Sequence, residues 1–236
     1  MQQALELGYI KNNPTNACKL PKVVTPEIQP LDDDGIRAFI AASKGNKYET
    51  LFLVTLFTGM REGEVLGLTW HCVDFARGMI IVSKQLQKER HGTGKYHLVP
   101  TKNGKTRYLT LPPSILELLK EQKKLQATWK SYVGEAWTES DLVFTNELGH
   151  NLSAQTVYLH FKKIAVEIGY PDLRFHDLRH SYAVASLRNG DDIKTLQENL
   201  GHHTAAFTLQ TYAHATAQMK TESANRMEKF IQNIGA

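Results

Sequence analysis

Residues Tyr48 to Phe57 (YETLFLVTLF) are apolar at almost every position. A helix written this way has no polar face to turn to water, so it must be buried on all sides. Thr58-Gly59-Met60 breaks it, with Gly59 as a left-handed terminator, and Arg61 opens a short second helix, REGEVLGL. Upstream, Leu31-Asp32-Asp33-Asp34 supplies a cap and first-turn acids for a helix through about Ser43. Three strand-like runs follow, Met79–Gln87, Lys95–Pro100 and Thr106–Leu111, separated by turns at Gly92-Thr93-Gly94 and Asn103-Gly104, the second a hairpin signal. Pro112-Pro113 begins a long helix to about Lys130, and loops surround the apolar Leu142-Val143-Phe144. Helices are predicted over Ala154–Ile168, His176–Arg188, Ile193–Leu200, Ala205–Ala213 and a terminal amphipathic stretch of about Thr216–Ile234. The pattern predicts an α+β fold: one mostly α-helical domain with a small three-stranded antiparallel sheet.

Composition narrows the class. The chain has 236 residues, 42% hydrophobic and 22% charged, which excludes disordered and low-complexity classes. No apolar run is long enough for a transmembrane helix, and MQQALELGYIKNNP lacks the layout of a signal peptide. Cys18 and Cys72 supply neither a disulfide framework nor a four-ligand zinc site. These features predict a reducing, cytoplasmic setting, no membrane, no cofactor and no metal. Residues 1–13 read as the last turns of an amphipathic helix, and four of the eight prolines fall in residues 12–30. Residues 1–30 are therefore expected to be the remnant of a preceding domain plus a linker, and residues 31–236 the main domain.

Net charge is +4, but its distribution is uneven. Lys84, Lys88, Arg90, Lys95, Lys102, Lys105 and Arg107 face the single acid Glu89 within one short stretch. Such a run suits a nucleic acid backbone or a plain solvated face. In His176-Asp177-Leu178-Arg179-His180, His176 and Arg179 share a helix face, and His176 and His180 have the spacing of a metal pair without the activating Glu of HExxH. Arg61 stands on rigid supports with Glu64 at i+3, as a phosphate fork or as an ordinary ion pair. Leu200-Gly201-His202-His203 is followed by Tyr212 in LQTYAH. Each motif has a bland reading as cap, core or surface.

Their order is more specific. TGMREGEVLGLTW, TKNGKTRYLTLP, FHDLRHSYA, LGHH and TLQTYAH together resemble the boxes of the tyrosine recombinases, the phage-integrase family, from about Asp32 to the C-terminus. The added strand material at residues 84–99 is most similar to integrases of conjugative transposons. The resemblance implies the tyrosine recombinase catalytic fold. It implies that Arg61 and Arg179 bind the nonbridging oxygens of a scissile phosphate, and that Lys102 protonates the leaving 5′-oxygen. Lys95 and Lys105 are the next candidates for that acid. His176 would be acid/base and phosphate ligand, His202 (or His203) a donor to phosphate, and Tyr212 the nucleophile, with Asp177 and Glu64 in support. Lys84, Lys88, Arg90, Lys95, Lys105 and Arg107 would contact the DNA backbone.

The implied activity is site-specific recombination: DNA strand cleavage and rejoining through a 3′-phosphotyrosyl intermediate, for integration or excision of a mobile element. The implied partners are double-stranded DNA, three further copies in a homotetramer on DNA (a monomer without it), and accessory DNA-binding proteins. The implied setting is a bacterial or phage-encoded, nucleoid-associated protein. A topoisomerase-like strand transferase with the same chemistry, and a DNA-binding fragment without effective cleavage, are the alternatives.

Overall fold

The computed structural model describes residues 1–18, 30–89, 94–201 and 213–234. In chain order these form α1 (Gln2–Glu6), a 3-10 turn (Pro14–Ala17), α2 (Asp33–Ser43), α3 (Glu49–Thr58), α4 (Glu62–Leu66), β1 (Val73–Asp74), β2 (Met79–Val82), β3 (Lys84–Lys88), β4 (Tyr96–Pro100), β5 (Arg107–Thr110), α5 (Pro113–Val133), α6 (Ala154–Glu167), α7 (Phe175–Arg188), α8 (Ile193–Leu200) and α9 (Ala213–Ile234). Of the helix expected at Ala205–Ala213, residues 205–212 lie outside the described residues, and α9 begins at Ala213. Among the described residues no helix is long and apolar enough to cross a membrane.

The apolar run is the centre of the molecule, as its lack of a polar face requires. Leu51, Phe52, Val54 and Leu56 of α3 are all at most 1% exposed. Buried Thr55 and Thr58 return their hydroxyls to the Leu51 and Val54 carbonyls at 2.8 and 2.6 Å, so neither leaves an unmet donor. Phe52 meets Phe39 of α2, Phe161 of α6 and Phe175 of α7 at centroid distances of 6.1, 6.2 and 6.3 Å. One aromatic cluster therefore joins four helices, each edge or tilted contact adding roughly 0.5–1.5 kcal/mol beyond area burial. The helix ends follow their local sequence. Asp32 accepts from the Gly35 N–H at 2.7 Å, and Gly59 closes α3 at φ +63°, its N–H on the Thr55 carbonyl.

Strand pairing departs from the expected hairpins. The run Met79–Gln87 divides at Ser83 into β2 and β3, which serve different sheets. β2 pairs with β5 and with β1, a strand not expected from the sequence, in the order β1-β2-β5, while β3 pairs with β4. All pairs are antiparallel. The registers place Val82 opposite Arg107 and Lys84 opposite Pro100, so residues 101–106 face Ser83 alone. The Asn103-Gly104 turn forms, with the Gly104 N–H on the Thr101 carbonyl at 2.8 Å, but its flanking strands do not pair with each other. β2 and β3 act as one bent strand, and β4 and β5 line up along it. The basic 101–106 segment is expelled between them as a loop.

Gly67, at the end of α4, fixes the position of β3. A Cβ there would lie 2.5 Å from the Leu86 nitrogen and 2.8 Å from the Gln85 carbonyl carbon, both backbone. Its φ of −95° suits any residue, so only the close approach requires glycine. Gly67→Ala is expected to cost roughly 1–3 kcal/mol, the usual range for overpacking. Urea unfolding of the variant checks this, with an unchanged m-value marking a loss of stability alone.

Candidate active site

The two helices that carry the candidate arginines begin alike. The Glu64 carboxylate accepts from the Arg61 backbone N–H at 2.9 Å, and the Asp177 carboxylate accepts from that of Arg174 at 2.8 Å. Each acid satisfies an orphan donor at a helix start. Both are buried, at 1% and 3% exposure. Arg174 adds two side-chain bonds to Asp177 at 3.0 and 2.7 Å.

Glu64 also holds two guanidiniums. Its Oε1 accepts from Arg61 Nη1 at 2.8 Å and Arg107 Nη1 at 3.0 Å, and its Oε2 accepts from Arg107 Nη2 at 2.6 Å. Burial pushes this carboxyl upward, but the bonds and charge of Arg107, then those of Arg61, outweigh it and hold the pKa at about 2. Arg179 is 1% exposed. Its Nη1 donates to the Gly59 carbonyl and its Nη2 to the Leu200 carbonyl, both at 2.6 Å. One side chain of α7 thus ties the end of α3 to the end of α8.

The end of α8 is where the site closes. The last carbonyls of a helix lack partners and form the negative end of its dipole. Here Asn199 accepts from Arg107 Nε at 2.8 Å, Leu200 from Arg179, and Gly201 from Asn103 Nδ2 at 3.2 Å and, at 3.5 Å, Arg61 Nη2. Between this end and the 101–106 loop lies a cavity of about 250 Å³, lined among others by Arg61, Asn103, Lys105, Arg107, Glu198 and Gly201.

His176 stands on the first turn of α7, in the field of both arginines. The residue is exposed at the surface, but the protein packed against its ring, then the Arg179 charge, lower its pKa; Arg61 and Arg174 lower it further, while Asp177 opposes them. His180, one turn on, meets the His176 ring edge-to-face at 4.8 Å. Its pKa falls to about 4, from burial first and then from His176, so it stays neutral near pH 7. Among the described residues no group of three His, Cys, Asp or Glu could hold a metal ion.

The structure therefore brings Arg61, His176 and Arg179 together. Lys102 is exposed on the 101–106 loop, beside the Asn103 that reaches Gly201. Lys84, Lys88 and Lys95 are exposed on or beside β3 and β4, and exposed Lys105 lines the cavity. Arg107, expected on the DNA backbone, has a side chain only 10% exposed and bonded to Glu64. The sequence held the signal for this: Arg107 alternates with Leu109 and Leu111, at 2% and 5% exposure, while Tyr108 between them is 62% exposed. The arginine therefore belongs to the inward face. Arg90, His202, His203 and Tyr212 lie outside the described residues.

The Glu64 pKa sets a pH dependence. Between pH 2 and 4.5 the unfolded chain binds a proton at this carboxyl that the folded chain refuses. The stabilisation is therefore complete above about pH 4.5 and is lost as pH falls toward 2. It should reach a few kcal/mol. Urea unfolding from pH 7 to 3 should show wild type losing stability more steeply than Glu64→Gln below pH 4.5.

The phage integrase family pattern matches residues 29–219. A protein named tyrosine recombinase XerC-like from Caldanaerobacter subterraneus subsp. tengcongensis is 31% identical over 93% of this chain and 60% of its own length. Tyrosine recombinase XerC of Lactobacillus delbrueckii subsp. bulgaricus is 33% identical, over 91% of this chain and 68% of its own. The chain spans 60–64% of the length of the first curated relatives it matches. A Tn1549 transposon integrase, solved in complex with a circular intermediate DNA, superposes with a TM-score of 0.74 at 22% identity, covering 93% of this chain and 74% of that one. A XerA recombinase superposes with a TM-score of 0.63 at 24% identity, over 87% of this chain and 67% of that one. With its boxes in order and its helices closed around a paired-arginine face, the chain belongs to the phage integrase family, the tyrosine recombinases.

Proposed function

We propose that residues 31–236 are the catalytic domain of a site-specific DNA recombinase that cuts and rejoins strands through a 3′-phosphotyrosyl intermediate, for integration or excision of a mobile element. The observation that carries this reading is the clustering of Arg61, Arg179 and His176, the two arginines resting on the Gly201 and Leu200 carbonyls one and two residues before His202 in sequence. A phosphodiester already carries negative charge, and its pentacoordinate transition state concentrates more on the nonbridging oxygens. Two fixed guanidiniums and imidazole donors stabilise that charge.

In this reading the Tyr212 phenol oxygen attacks phosphorus while the bond to the 5′-oxygen breaks. The phenol has an ordinary pKa near 10, so its proton must leave during attack, toward His176. Lys102 donates a proton to the departing 5′-oxygen, a step worth roughly 10²–10⁴-fold. His202 donates to the phosphate. The phosphotyrosine keeps the energy of the broken bond, so a 5′-hydroxyl from another strand can displace the phenol without ATP. In this reading Lys84, Lys88 and Lys95, exposed on or beside β3 and β4, and Lys105, on the loop that follows, contact a duplex backbone. The exposed Met227, Phe230, Ile231 and Ile234 of α9 offer an apolar face to a neighbouring copy, and in this reading four copies, monomeric without DNA, assemble on it.

Tyr212→Phe should bind duplex DNA as wild type does and form no covalent adduct on a nicked suicide duplex; adducts on denaturing gels would reject the nucleophile. Arg61→Lys loses the planar fork and should cleave at least about 100-fold more slowly. Lys84→Ala should weaken binding and lower the slope of log affinity against log salt by about 1.

A further inference from the structure

We infer that Arg107 is a positioning residue for strand cleavage, which holds Arg61 at its working angle through Glu64 and locks that pair to the end of α8. The inference rests on the reading of Arg61 as a phosphate ligand.

Arg107 uses three nitrogens on two targets. Nη1 and Nη2 hold the two oxygens of Glu64 at 3.0 and 2.6 Å, and Nε holds the Asn199 carbonyl at 2.8 Å. The Glu64 oxygens are shared evenly. Oε1 takes Arg61 Nη1 and Arg107 Nη1, and Oε2 takes the Arg61 backbone N–H and Arg107 Nη2. The carboxylate plane is thereby fixed by Arg107, and the Arg61 guanidinium takes its orientation from that plane. Arg61 is the more exposed partner, with 24% of its side chain open against 10% for Arg107. Arg61 is thus the more accessible of the two to a ligand, while Nε, Nη1 and Nη2 of Arg107 are all engaged within the protein.

The third bond extends the lock. Asn199 stands three positions before His202, and its neighbour Leu200 carries the Arg179 contact. Strand β5, helix α4 and the end of α8 therefore meet on one guanidinium. Lysine could not replace it, because an ammonium has no planar fork to span a carboxylate while a separate N–H serves a carbonyl. Direct backbone binding by Arg107 would require phosphate to displace a buried carboxylate whose pKa is near 2.

The test is single-turnover cleavage of nicked suicide duplexes whose sequence this chain selects from a random pool, with either nonbridging oxygen of the scissile phosphate replaced by sulfur. A change that only lowers the amount of folded enzyme leaves the rate ratio of the two sulfur diastereomers untouched. A change that turns Arg61 alters it. At saturating DNA, Arg107→Lys should be slowed roughly 100-fold, the scale of a 1 Å misplacement. It should keep its DNA affinity, and its diastereomer ratio should move from the wild-type value to that of Arg61→Lys. Arg107→Gln/Glu64→Gln, which removes both charges of the buried Arg107–Glu64 pair and keeps an amide oxygen as acceptor for Arg61, should show the same ratio. Wild-type cleavage by either folded variant overturns the inference. So does slowed cleavage with the wild-type ratio, weakened binding with a normal saturated rate, or failure of both variants to fold. A wild-type chain that forms no adduct overturns the strand-cleavage reading instead, and this inference with it.

Discussion

A guanidinium shut away from water needs acceptors on every side it presents, and Arg179 finds two of them in segments far apart in the chain. The Gly59 carbonyl ends α3 and the Leu200 carbonyl ends α8, and each receives one of its terminal nitrogens. Leaving such a charge unpaired would cost about 3–5 kcal/mol, so the three helices can pack only where both carbonyls reach it. The left-handed turn at Gly59 is part of the same constraint: a Cβ there would lie 2.5 Å from the Tyr182 ring and 2.8 Å from Leu200. The turn, the buried arginine and the end of α8 are a single arrangement.

The end of α8 draws positive groups for a simple electrostatic reason. Its last carbonyls are unpaired within the helix and carry the negative end of the dipole. Three arginines and an asparagine from four different elements converge on Asn199, Leu200 and Gly201. Helix termini and buried acids thus do what a bound counter-ion would otherwise have to do: they hold several like charges close together in a folded protein. The face that results is cationic and open at Arg61 and His176.

The β-structure has a matching purpose. By bending at Ser83 instead of continuing flat, the long strand expels residues 101–106 as a loop that reaches α8 through Asn103. Lys105 is carried to the cavity beside Arg61 by this geometry, and exposed Lys102 stands next to Asn103 on the same loop. The inward parity of β5 sends Arg107 beneath it.

The sequence by itself determined the local pieces. The apolar run of α3, the caps at Asp32 and Gly59 and the start of α5 at Pro113 all follow from neighbours a few positions away. Helix caps, periodicity and turn chemistry act over that range, so they can be read without a fold. Which strand β4 and β5 would join, and which carboxylate Arg107 would meet, depended on pairings between residues tens of positions apart. An Asn-Gly turn is compatible with a hairpin and with an expelled loop, and a lysine-rich run is compatible with solvent and with a salt-bridged interior. Only burial, which is a property of the assembled core, separates these outcomes: it made one cation of the basic run a buried partner of Glu64 and left Lys84, Lys88, Lys95, Lys102 and Lys105 exposed.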